Sequence, residues 1–369
     1  MTYLDYASTS MKRSNVLNNL INKIENFEGN PSSTHRLGRN ANKYLEEARS
    51  IIAEEIGAKS DNIFFTSGAS ESNNTVIDNF NNDNFEIISS NIEHKSILEP
   101  LKRNKSKVIF LEVGKDGKVS LEDLRKNINE NTKLVSLIYV NNETGVIQPI
   151  KEIGQLLKDK DIWFHVDAVQ ALGHVDIDVN EIKCDSMSLS GHKIGGLNGF
   201  GVLYLRKNLN PLIAGGNQEH GQRAGTSNLL AALSMAHSIE YMKSEKDYIT
   251  EIKKYFLDKL KNIPHEINGD LECTSNHIVN VYFPFAKSDL LLTYLDMNDI
   301  YVSAGSACLA GSLEPSYVIE AMYDKERAKK SVRFSFGFTN KKEDIDKVIE
   351  TLEMFYNRKS KLWKKKIKI

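Results

Sequence analysis

Two segments are the most informative about the fold, His165-Val166-Asp167-Ala168-Val169-Gln170 and Ser188-Leu189-Ser190-Gly191-His192-Lys193. Asp167 follows the apolar residues Ile162-Trp163-Phe164 and Val166, which predict a buried strand. Lys193 follows a second predicted strand that begins at Ser186. Ligands of open α/β sheets bind at the carboxyl ends of the strands. The carboxylate and the amine, 26 positions apart, are therefore expected to meet at one edge of a sheet.

Short apolar strands alternate with helical stretches on either side of these segments. Such alternation predicts an α/β fold with a mostly parallel, mixed seven-stranded sheet and helices on both faces. A first helix is predicted near Val16 to Phe27 and a long amphipathic helix near Gly38 to Ile56. The predicted strands are 63–66, 86–89, 107–111, 134–140, 162–166, 186–189 and 201–205.

The last third of the chain has a different pattern. Helical periodicity dominates from Asn228 to Asn262, and a mixed region with its own strands and helices starts at Asn276. We therefore expect a large domain over residues 15–260. Residues 1–14 and 261–369 are expected to form a smaller α+β domain.

Composition limits the class of protein. The 369 residues are 40% hydrophobic and 26% charged, as in an ordinary globular protein. A formal net charge of -1 gives no reason to expect nucleic acid or a membrane as partner. The three cysteines are widely spaced, so neither a disulfide framework nor a metal site is indicated. Without a signal peptide or a long apolar span, we expect a soluble protein in the reducing cytoplasm.

The chemistry of Asp167 and Lys193 suits a pyridoxal phosphate site. A lysine amine forms a Schiff base with an aldehyde cofactor, and a carboxylate beside the pyridine nitrogen keeps that nitrogen protonated. The sequence contains neither G-x-G-x-x-G nor G-x-x-x-x-G-K-[ST], the usual signs of a nucleotide site. The two segments alone leave another interpretation open, in which Asp-Ala is a helix N-cap and Gly-His-Lys an ordinary polar loop.

Donors for the cofactor are predicted at strand ends and in one loop. Phe64 to Glu71 runs from a strand through a small-residue turn into a helix, whose free N–H groups suit an anion. Gln170, one helical turn after Asp167, is a candidate donor to the ring oxygen. A plain N-cap or a simple connecting loop would explain several of these residues equally well. The candidate phosphate donors are Ala69, Ser70, Ser190, His192 and Thr226.

Asn30, His94 and Asn142 complete the polar set at predicted strand ends or loops, although a lone histidine is more often structural than catalytic. Cys308 lies in a run of small residues from Val302 to Pro315, which predicts a mobile loop and an accessible thiol. Cys184 lies beside an apolar strand and is expected to be buried and inert.

Taken together, these motifs resemble the cysteine desulfurases, the NifS-like branch of the class V aminotransferases. The resemblance runs almost end to end, and the order and spacing of the motifs are far more specific than any one of them. The residues that carry it are Leu4-Asp5-Tyr6-Ala7, Gly29-Asn30-Pro31-Ser32-Ser33, Phe65-Thr66-Ser67-Gly68-Ala69-Ser70-Glu71-Ser72-Asn73, Glu93-His94-Lys95, Val140-Asn141-Asn142-Glu143-Thr144-Gly145, His165-Val166-Asp167-Ala168, Ser190-Gly191-His192-Lys193, Arg223-Ala224-Gly225-Thr226, Gly305-Ser306-Ala307-Cys308 and Ser331-Val332-Arg333-Phe334-Ser335.

The resemblance implies the fold type I of pyridoxal 5′-phosphate-dependent transferases and a role for each matched residue. Lys193 would carry the Schiff base and Asp167 would pair with the pyridine nitrogen. Gln170 would contact the phenolic oxygen, with His94 against the ring face and Asn142 near the ring. The phosphate would be held by Ala69, Ser70, Ser190 and His192, with Thr226 reaching in from the partner subunit of a homodimer. The substrate would contact Arg333, as a bidentate fork for its carboxylate, Asn142 and Asn30.

The implied reaction removes sulfur from L-cysteine. Lys193 is the expected base, and the Cys308 thiolate attacks the substrate sulfur, which leaves a Cys308 persulfide and L-alanine. His94 is the expected proton acceptor near the thiol. The loop from Ser303 to Glu314 resembles the long-loop branch, whose members pass sulfur to iron–sulfur scaffolds or tRNA-thiolation enzymes. Neither a membrane nor a direct nucleic-acid partner is expected.

Some positions depart from the family pattern, and some alternatives stay open. Ser70 stands where threonine is usual, Leu309-Ala310 follows the cysteine, and His220 stands where arginine is frequent. None removes a required group, although the residues beside Cys308 bear on which acceptor is preferred. The alternatives are a selenocysteine lyase, a small-molecule aminotransferase on the same fold, and a catalytically silent scaffold. The basic tail after Lys359 is expected to be a solvated end, with docking of an acidic partner or tRNA as the alternative.

Overall fold

The computed structural model describes residues 1–24, 29–305 and 315–366 of the chain, and Cys308 lies outside them. The strands are β1 (Thr2–Tyr3), β2 (Ile63–Thr66), β3 (Glu86–Ser90), β4 (Lys107–Leu111), β5 (Thr132–Ile138), β6 (Trp163–Asp167), β7 (Ser186–Ser190), β8 (Gly201–Leu205), β9 (Glu266–Ile267), β10 (Ile278–Tyr282), β11 (Ile300–Tyr301) and β12 (Ser331–Ser335). The helices are α1 (Ser14–Lys23), α2 (Arg36–Glu55), α3 (Ala69–Asn79), α4 (Lys95–Arg103), α5 (Leu121–Asn127), α6 (Ile150–Leu157), α7 (Val179–Ile182), α8 (Leu229–Leu260), α9 (Ser288–Asp296), α10 (Tyr317–Met322), α11 (Lys325–Ala328) and α12 (Lys342–Lys366).

The central sheet of the described residues has seven strands in the order β2-β8-β7-β6-β5-β3-β4. The neighbours from β4 through β7 are parallel, whereas β8 is antiparallel to both β7 and β2. The predicted mixed, mostly parallel seven-stranded sheet is therefore confirmed. The largest shift in strand bounds is at β5, which was predicted at 134–140 and spans Thr132–Ile138.

The order of the strands brings the ends of four of them together. The chain passes from β3 outward to β4 and then returns to the other side of β3 to form β5, β6 and β7. Such a reversal opens a crevice at the carboxyl ends of the strands, where α/β sheets bind ligands. His94 follows β3, Asn142 follows β5, Asp167 ends β6 and Lys193 follows β7. All four side chains belong to this edge of the sheet.

Two smaller sheets join the amino terminus to the last third of the chain. β1 pairs in parallel with β11, and β12, β10 and β9 form an antiparallel sheet. Asp5 also forms a bridge with Ser335. The first residues therefore pack with the carboxyl-terminal part of the chain. The bounds of the two domains, 15–260 against 1–14 with 261–369, stay a prediction.

The long helix α8 contributes to two hydrophobic cores. Met235 and Ile239 in its first half pack in the core of the central sheet. Ile252 and Phe256 in its second half pack in a separate core beneath β10 and β12. Its start is fixed by Asn228, whose side-chain oxygen accepts a hydrogen bond from the Ala231 N–H at 3.1 Å. Nowhere in the described part of the chain is a helix both long and apolar enough to cross a membrane.

Candidate active site

A cavity of about 360 Å³ lies at the carboxyl ends of the central strands. Its size is typical of a site for a small molecule. Most of the residues predicted for the cofactor and the substrate line this one cavity. They are Ala69, Ser70, His94, Asn142, Asp167, Gln170, Ser190, His192, Lys193 and Arg333.

Three predicted site residues are not among those that line the cavity. Thr226 is exposed in the loop that precedes α8 and does not line the cavity of its own chain. Asn30 is exposed in the turn before α2, where its Oδ1 accepts a hydrogen bond from the Ser32 N–H at 2.9 Å. Cys308 lies outside the described residues. Their predicted roles stay predictions.

The carboxylate of Asp167 is held from two directions. Asp167 is the last residue of β6 and is 3% exposed. Its Oδ1 accepts from the Val169 N–H at 3.1 Å and its Oδ2 accepts from Asn73 Nδ2 at 2.9 Å. Two donors on opposite oxygens fix the plane of the carboxylate at the wall of the cavity.

Lys193 reaches the cavity from a short 3-10 turn, Gly191–Lys193, that follows β7. Its Nζ donates to the carbonyl oxygens of Ala7 and Ser8, both at 2.7 Å. The amine is thereby held at the amino-terminal segment. Next to it, burial lowers the pKa of His192 to about 4, and the charge of Lys193 acts in the same direction. His192 is therefore neutral at pH 7.

His94 stands at the start of α4 as its N-cap residue. Its Nδ1 accepts from the Ser96 N–H at 3.2 Å and lies 2.8 Å from the Ser96 hydroxyl oxygen. Burial lowers the pKa of His94, so the ring is neutral at pH 7. Because Nδ1 is an acceptor, the single ring proton is assigned to Nε2.

The first turn of α3 provides backbone donors at the cavity. α3 begins at Ala69, directly after Gly68. Gly201 allows β8 to approach this turn, because a Cβ at position 201 would lie 2.5 Å from the Gly68 carbonyl carbon. Glu71 then ties the turn to the loop of Thr226, since its carboxylate accepts from Arg223 Nε at 3.1 Å. This link between Glu71 and Arg223 was not predicted from the sequence.

Arg333 enters the cavity from β12 in the second sheet and is 1% exposed. Its Nη1 donates to the Asn142 carbonyl oxygen at 2.7 Å, and its Nη2 donates to Asp5 Oδ1 at 2.8 Å and Ser8 Oγ at 2.6 Å. Arg333 Nε and Asn142 Oδ1 are buried without a hydrogen-bond partner among the described residues. Arg333 and Asn142 themselves line the cavity.

The described residues on both sides of segment 306–314 lie beside the cavity. Ser303 pairs with the backbone of Arg333, whose N–H donates to the Ser303 oxygen at 2.6 Å. On the other side, the Ser316 hydroxyl donates to the carboxylate of Glu143, the residue after Asn142.

Elsewhere, Cys184 is 1% exposed and burial raises the pKa of its thiol far above the usual range, so its predicted inert role is supported.

Several supporting side chains were not predicted from the sequence. Asn73 contacts Asp167 across 94 positions, and His277 Nε2 lies 3.1 Å from Gln170 Oε1 across 107 positions. The Nε2 group of Gln170 also donates to the Ala7 carbonyl oxygen at 2.8 Å. Asn73 belongs to one of the motifs that carry the family resemblance, but contacts over such separations leave no signal in spacing or periodicity.

Comparison with known proteins agrees with this geometry. Residues 2–348 match the aminotransferase class-V family. A protein of Dictyoglomus turgidum named cysteine desulfurase IscS is 39% identical over 367 residues, which cover 95% of this chain and 93% of that protein. A Bacillus subtilis protein named putative cysteine desulfurase IscS 1 is 41% identical over 360 residues, covering 93% of this chain and 95% of its own.

Solved structures give the same result. A NifS-like protein superimposes with a TM-score of 0.89 at 32% identity, over 97% of this chain and 100% of its own. A NifS-like protein from Rickettsia africae has a TM-score of 0.87 at 32% identity, over 97% of this chain and 99% of its own. The chain therefore belongs to the class-V aminotransferase family and, within it, to the cysteine desulfurases of the NifS and IscS type.

Proposed function

We propose that this protein is a cysteine desulfurase that uses pyridoxal 5′-phosphate to remove sulfur from L-cysteine. The products are L-alanine and a persulfide on Cys308. The observation that carries the proposal is that Asp167, Lys193 and Arg333 line one cavity although they come from different elements of the fold. They supply the carboxylate, the amine and the guanidinium that this reaction needs. The names of the relatives support the same activity.

The residues of the cavity fit the cofactor and an amino-acid substrate. Buried polar atoms without partners are rare, and two residues that line the cavity, Arg333 and Asn142, each have one among the described residues, which suits a polar ligand at this place. Asp167 would hold the pyridine nitrogen. The phosphate would be held by the first turn of α3 at Ala69 and Ser70, a helix N-terminus that suits an anion. The remaining proposed contacts are Ser190, His192, Gln170, His94, Asn142 and, from the partner subunit, Thr226.

The cofactor, when bound, supplies an electron sink that makes the α-proton of the substrate acidic and its carbon–sulfur bond labile. Arg333 binds the substrate carboxylate, with Asn142 and Asn30 as further proposed contacts. Lys193, which anchors the cofactor, takes the α-proton on Nζ. Burial of Arg333 at 1% exposure removes competing water from this contact and strengthens it.

The sulfur leaves the substrate by attack of the Cys308 thiolate. A new sulfur–sulfur bond forms on Cys308 as the carbon–sulfur bond breaks. The Cβ of the carbon fragment takes up a proton and Lys193 returns the α-proton to Cα, which gives L-alanine. The described flanks of segment 306–314 support this role, because Ser303 pairs with Arg333 and Ser316 binds Glu143 beside Asn142. The described residues before and after this segment therefore lie next to residues that line the cavity.

The proposal includes a homodimer and a protein acceptor for the sulfur. Thr226 is exposed and does not line the cavity of its own chain, which suits a contact with the phosphate in the other subunit. The acceptor is an iron–sulfur scaffold or a tRNA-thiolation enzyme in the reducing cytoplasm, where the Cys308 thiol stays reduced. Light scattering of the purified protein tests the dimer, and a monomer at micromolar concentration would contradict it.

The activity is tested by incubating the pyridoxal phosphate-loaded protein with L-cysteine. We expect alanine, and a mass gain of one sulfur atom on the peptide that contains Cys308. Cys308→Ala should form neither product at a significant rate, whereas Cys273→Ala, the matched control at a half-buried cysteine, should form both. Alanine production that is undiminished in Cys308→Ala would rule out the persulfide, and absence of both products from the unaltered protein would rule out the activity.

A further inference from the structure

Asn73 lies at the centre of a hydrogen-bond network behind the candidate active site. It lies on α3, one turn after Ala69, and its side chain is fully buried. Its Nδ2 donates to Asp167 Oδ2 at 2.9 Å and to Ser96 Oγ at 2.8 Å. Its Oδ1 lies 3.0 Å from His165 Nε2. One amide group thus contacts the carboxylate of Asp167 and the hydroxyl that binds His94.

The chemistry of its partners fixes which way this amide faces. A carboxylate only accepts hydrogen bonds, so the NH₂ group of Asn73 must face Asp167 and its oxygen must face His165. Burial lowers the pKa of His165 to about 3, so its ring is neutral and carries one proton. That proton is on Nε2, because the oxygen of Asn73 cannot donate. The opposite amide orientation would place two oxygens against each other.

The far side of His165 supports the same arrangement. Trp163 Nε1 donates to Ser186 Oγ at 2.8 Å, and the Ser186 oxygen lies 2.8 Å from His165 Nδ1. An indole N–H is only a donor, so the Ser186 hydroxyl accepts a hydrogen bond from Trp163 and donates one to His165 Nδ1. The hydrogen bonds from Trp163 through Ser186 and His165 to Asn73 therefore all run from donor to acceptor in the same direction.

The network continues from Asn73 to His94. Ser96 Oγ accepts from Asn73, so its own proton is directed to His94 Nδ1, 2.8 Å away. The Ser96 N–H donates to the same nitrogen at 3.2 Å. The proton of the neutral His94 ring is then on Nε2. In this state the Nε2–H group of His94 is a hydrogen-bond donor, and the role of His94 as proton acceptor for the Cys308 thiol stays a prediction.

We propose that Asn73 is a positioning residue of this site. Its amide, oriented by His165, holds the carboxylate of Asp167 and directs the Ser96 hydroxyl that keeps the His94 proton on Nε2. The inference rests on the proposed function, because Asp167 acts there as the counter-ion of the pyridine nitrogen. Without Asn73, Asp167 loses one of its two donors, and its charged form is less well stabilised.

The loss should be visible in the bound cofactor. Hydrogen bonds to charged groups are strong enough that losing one weakens affinity for pyridoxal phosphate about tenfold or more. A carboxylate whose charged form is less stable also leaves the ring nitrogen less fully protonated. The proton on the Schiff-base nitrogen of the bound cofactor then becomes harder to remove. The pH midpoint of its visible absorbance should therefore rise by about half a unit or more.

The test compares two pairs of variants. Asn73→Ala removes the amide, and Asn79→Ala is its control on the same helix, since the Asn79 amide donates to the Thr75 and Asn210 carbonyl oxygens and lies outside the network. His165→Leu removes the donor to Asn73, whereas His165→Gln keeps an N–H group in a similar place. The measurements are the Kd for pyridoxal phosphate and the pH midpoint of the loaded protein.

Asn73→Ala and His165→Leu should bind the cofactor about tenfold more weakly and show the raised midpoint, and the two matched variants should stay near the unaltered protein. If Asn73→Ala does not fold, the two His165 variants decide the question. Unchanged affinity and midpoint in Asn73→Ala or in His165→Leu would overturn the proposal.

Crystal structures of the cofactor-free variants give a readout that does not depend on the cofactor. We expect the Asp167 carboxylate to rotate away from its position in Asn73→Ala and to stay in place in Asn79→Ala. A carboxylate that does not move would contradict the role of Asn73. If the unaltered protein binds no pyridoxal phosphate, the proposed function fails, and the crystal comparison still decides whether Asn73 positions Asp167.

Discussion

Replacing Arg49 by methionine should destabilise the protein strongly, because Arg49 is the buried partner of Glu219. Arg49 is 2% exposed and Glu219 is 6% exposed. Arg49 Nη1 donates to Glu219 Oε2 at 2.6 Å and Nη2 donates to Oε1 at 3.3 Å. Glu219 also accepts from the Phe65 N–H at 3.0 Å and from Ser227 Oγ at 2.6 Å. The pair joins α2 and β2 to the turn that leads to the loop of Thr226.

The magnitude follows from the burial of both charges. Methionine keeps much of the arginine volume but leaves the Glu219 carboxylate without its cation, and breaking a buried ion pair in this way costs about 3–5 kcal/mol. That is a large share of a typical unfolding free energy of about 5–15 kcal/mol. Arg36→Met, at an exposed arginine on the same helix, should change stability by less than about 0.5 kcal/mol.

Equilibrium unfolding in urea measures the difference. The double variant Arg49→Met with Glu219→Gln should lose less stability than the two single variants together, because the second change removes the unpaired buried charge. A loss below about 1 kcal/mol for Arg49→Met, or strict additivity in the double variant, would refute the idea that the two charges depend on each other.

Three further changes have effects that the structure determines. Burial lowers the pKa of Lys253 to about 7, so from about pH 7 to pH 8.5 the unfolded state binds one more proton at this residue. The unfolding free energy should therefore rise with pH by about 1.4 kcal/mol per unit in this range, a slope that Lys253→Met should lack. Gly154→Ala should prevent stable folding, because its Cβ would lie 1.7 Å from the Ile182 carbonyl oxygen, and soluble yield and urea unfolding measure this. Gly201→Ala should displace the turn at Gly68 and lower affinity for pyridoxal phosphate about tenfold or more, as measured by titration.

Matched controls separate these effects from general damage. Lys254→Met, at an exposed lysine next to Lys253, should keep the pH slope of the unaltered protein. Gly114→Ala should be tolerated, since its Cβ would meet only the flexible side chain of Asp116. A flat pH profile in the unaltered protein, or normal stability in Gly154→Ala, would contradict the packing described for these residues.

The strands and the position of the site could be predicted because both depend on local pattern. Buried parallel strands are short apolar runs, and β2, β4 and β8 have the predicted bounds. Polar residues that directly follow such runs must lie at the carboxyl edge of a parallel sheet, which placed Asp167 and Lys193 in one cavity. Arg333 was placed there only by family resemblance, because it arrives from β12 in a different sheet.

Residue types and apolar runs were sufficient to identify the chemical groups at this site and the strand ends that carry them. Residue type and apolar periodicity are properties of a short stretch of chain, so no distant contact was needed to predict them. The protonation states and hydrogen-bond directions of these groups, in contrast, depend on the folded arrangement. The neutral rings of His94, His165 and His192 follow from burial, and the direction of the Asn73 amide follows from Asp167, 94 positions away. Burial and hydrogen-bond direction depend on neighbours that folding brings together, and local sequence does not specify those neighbours.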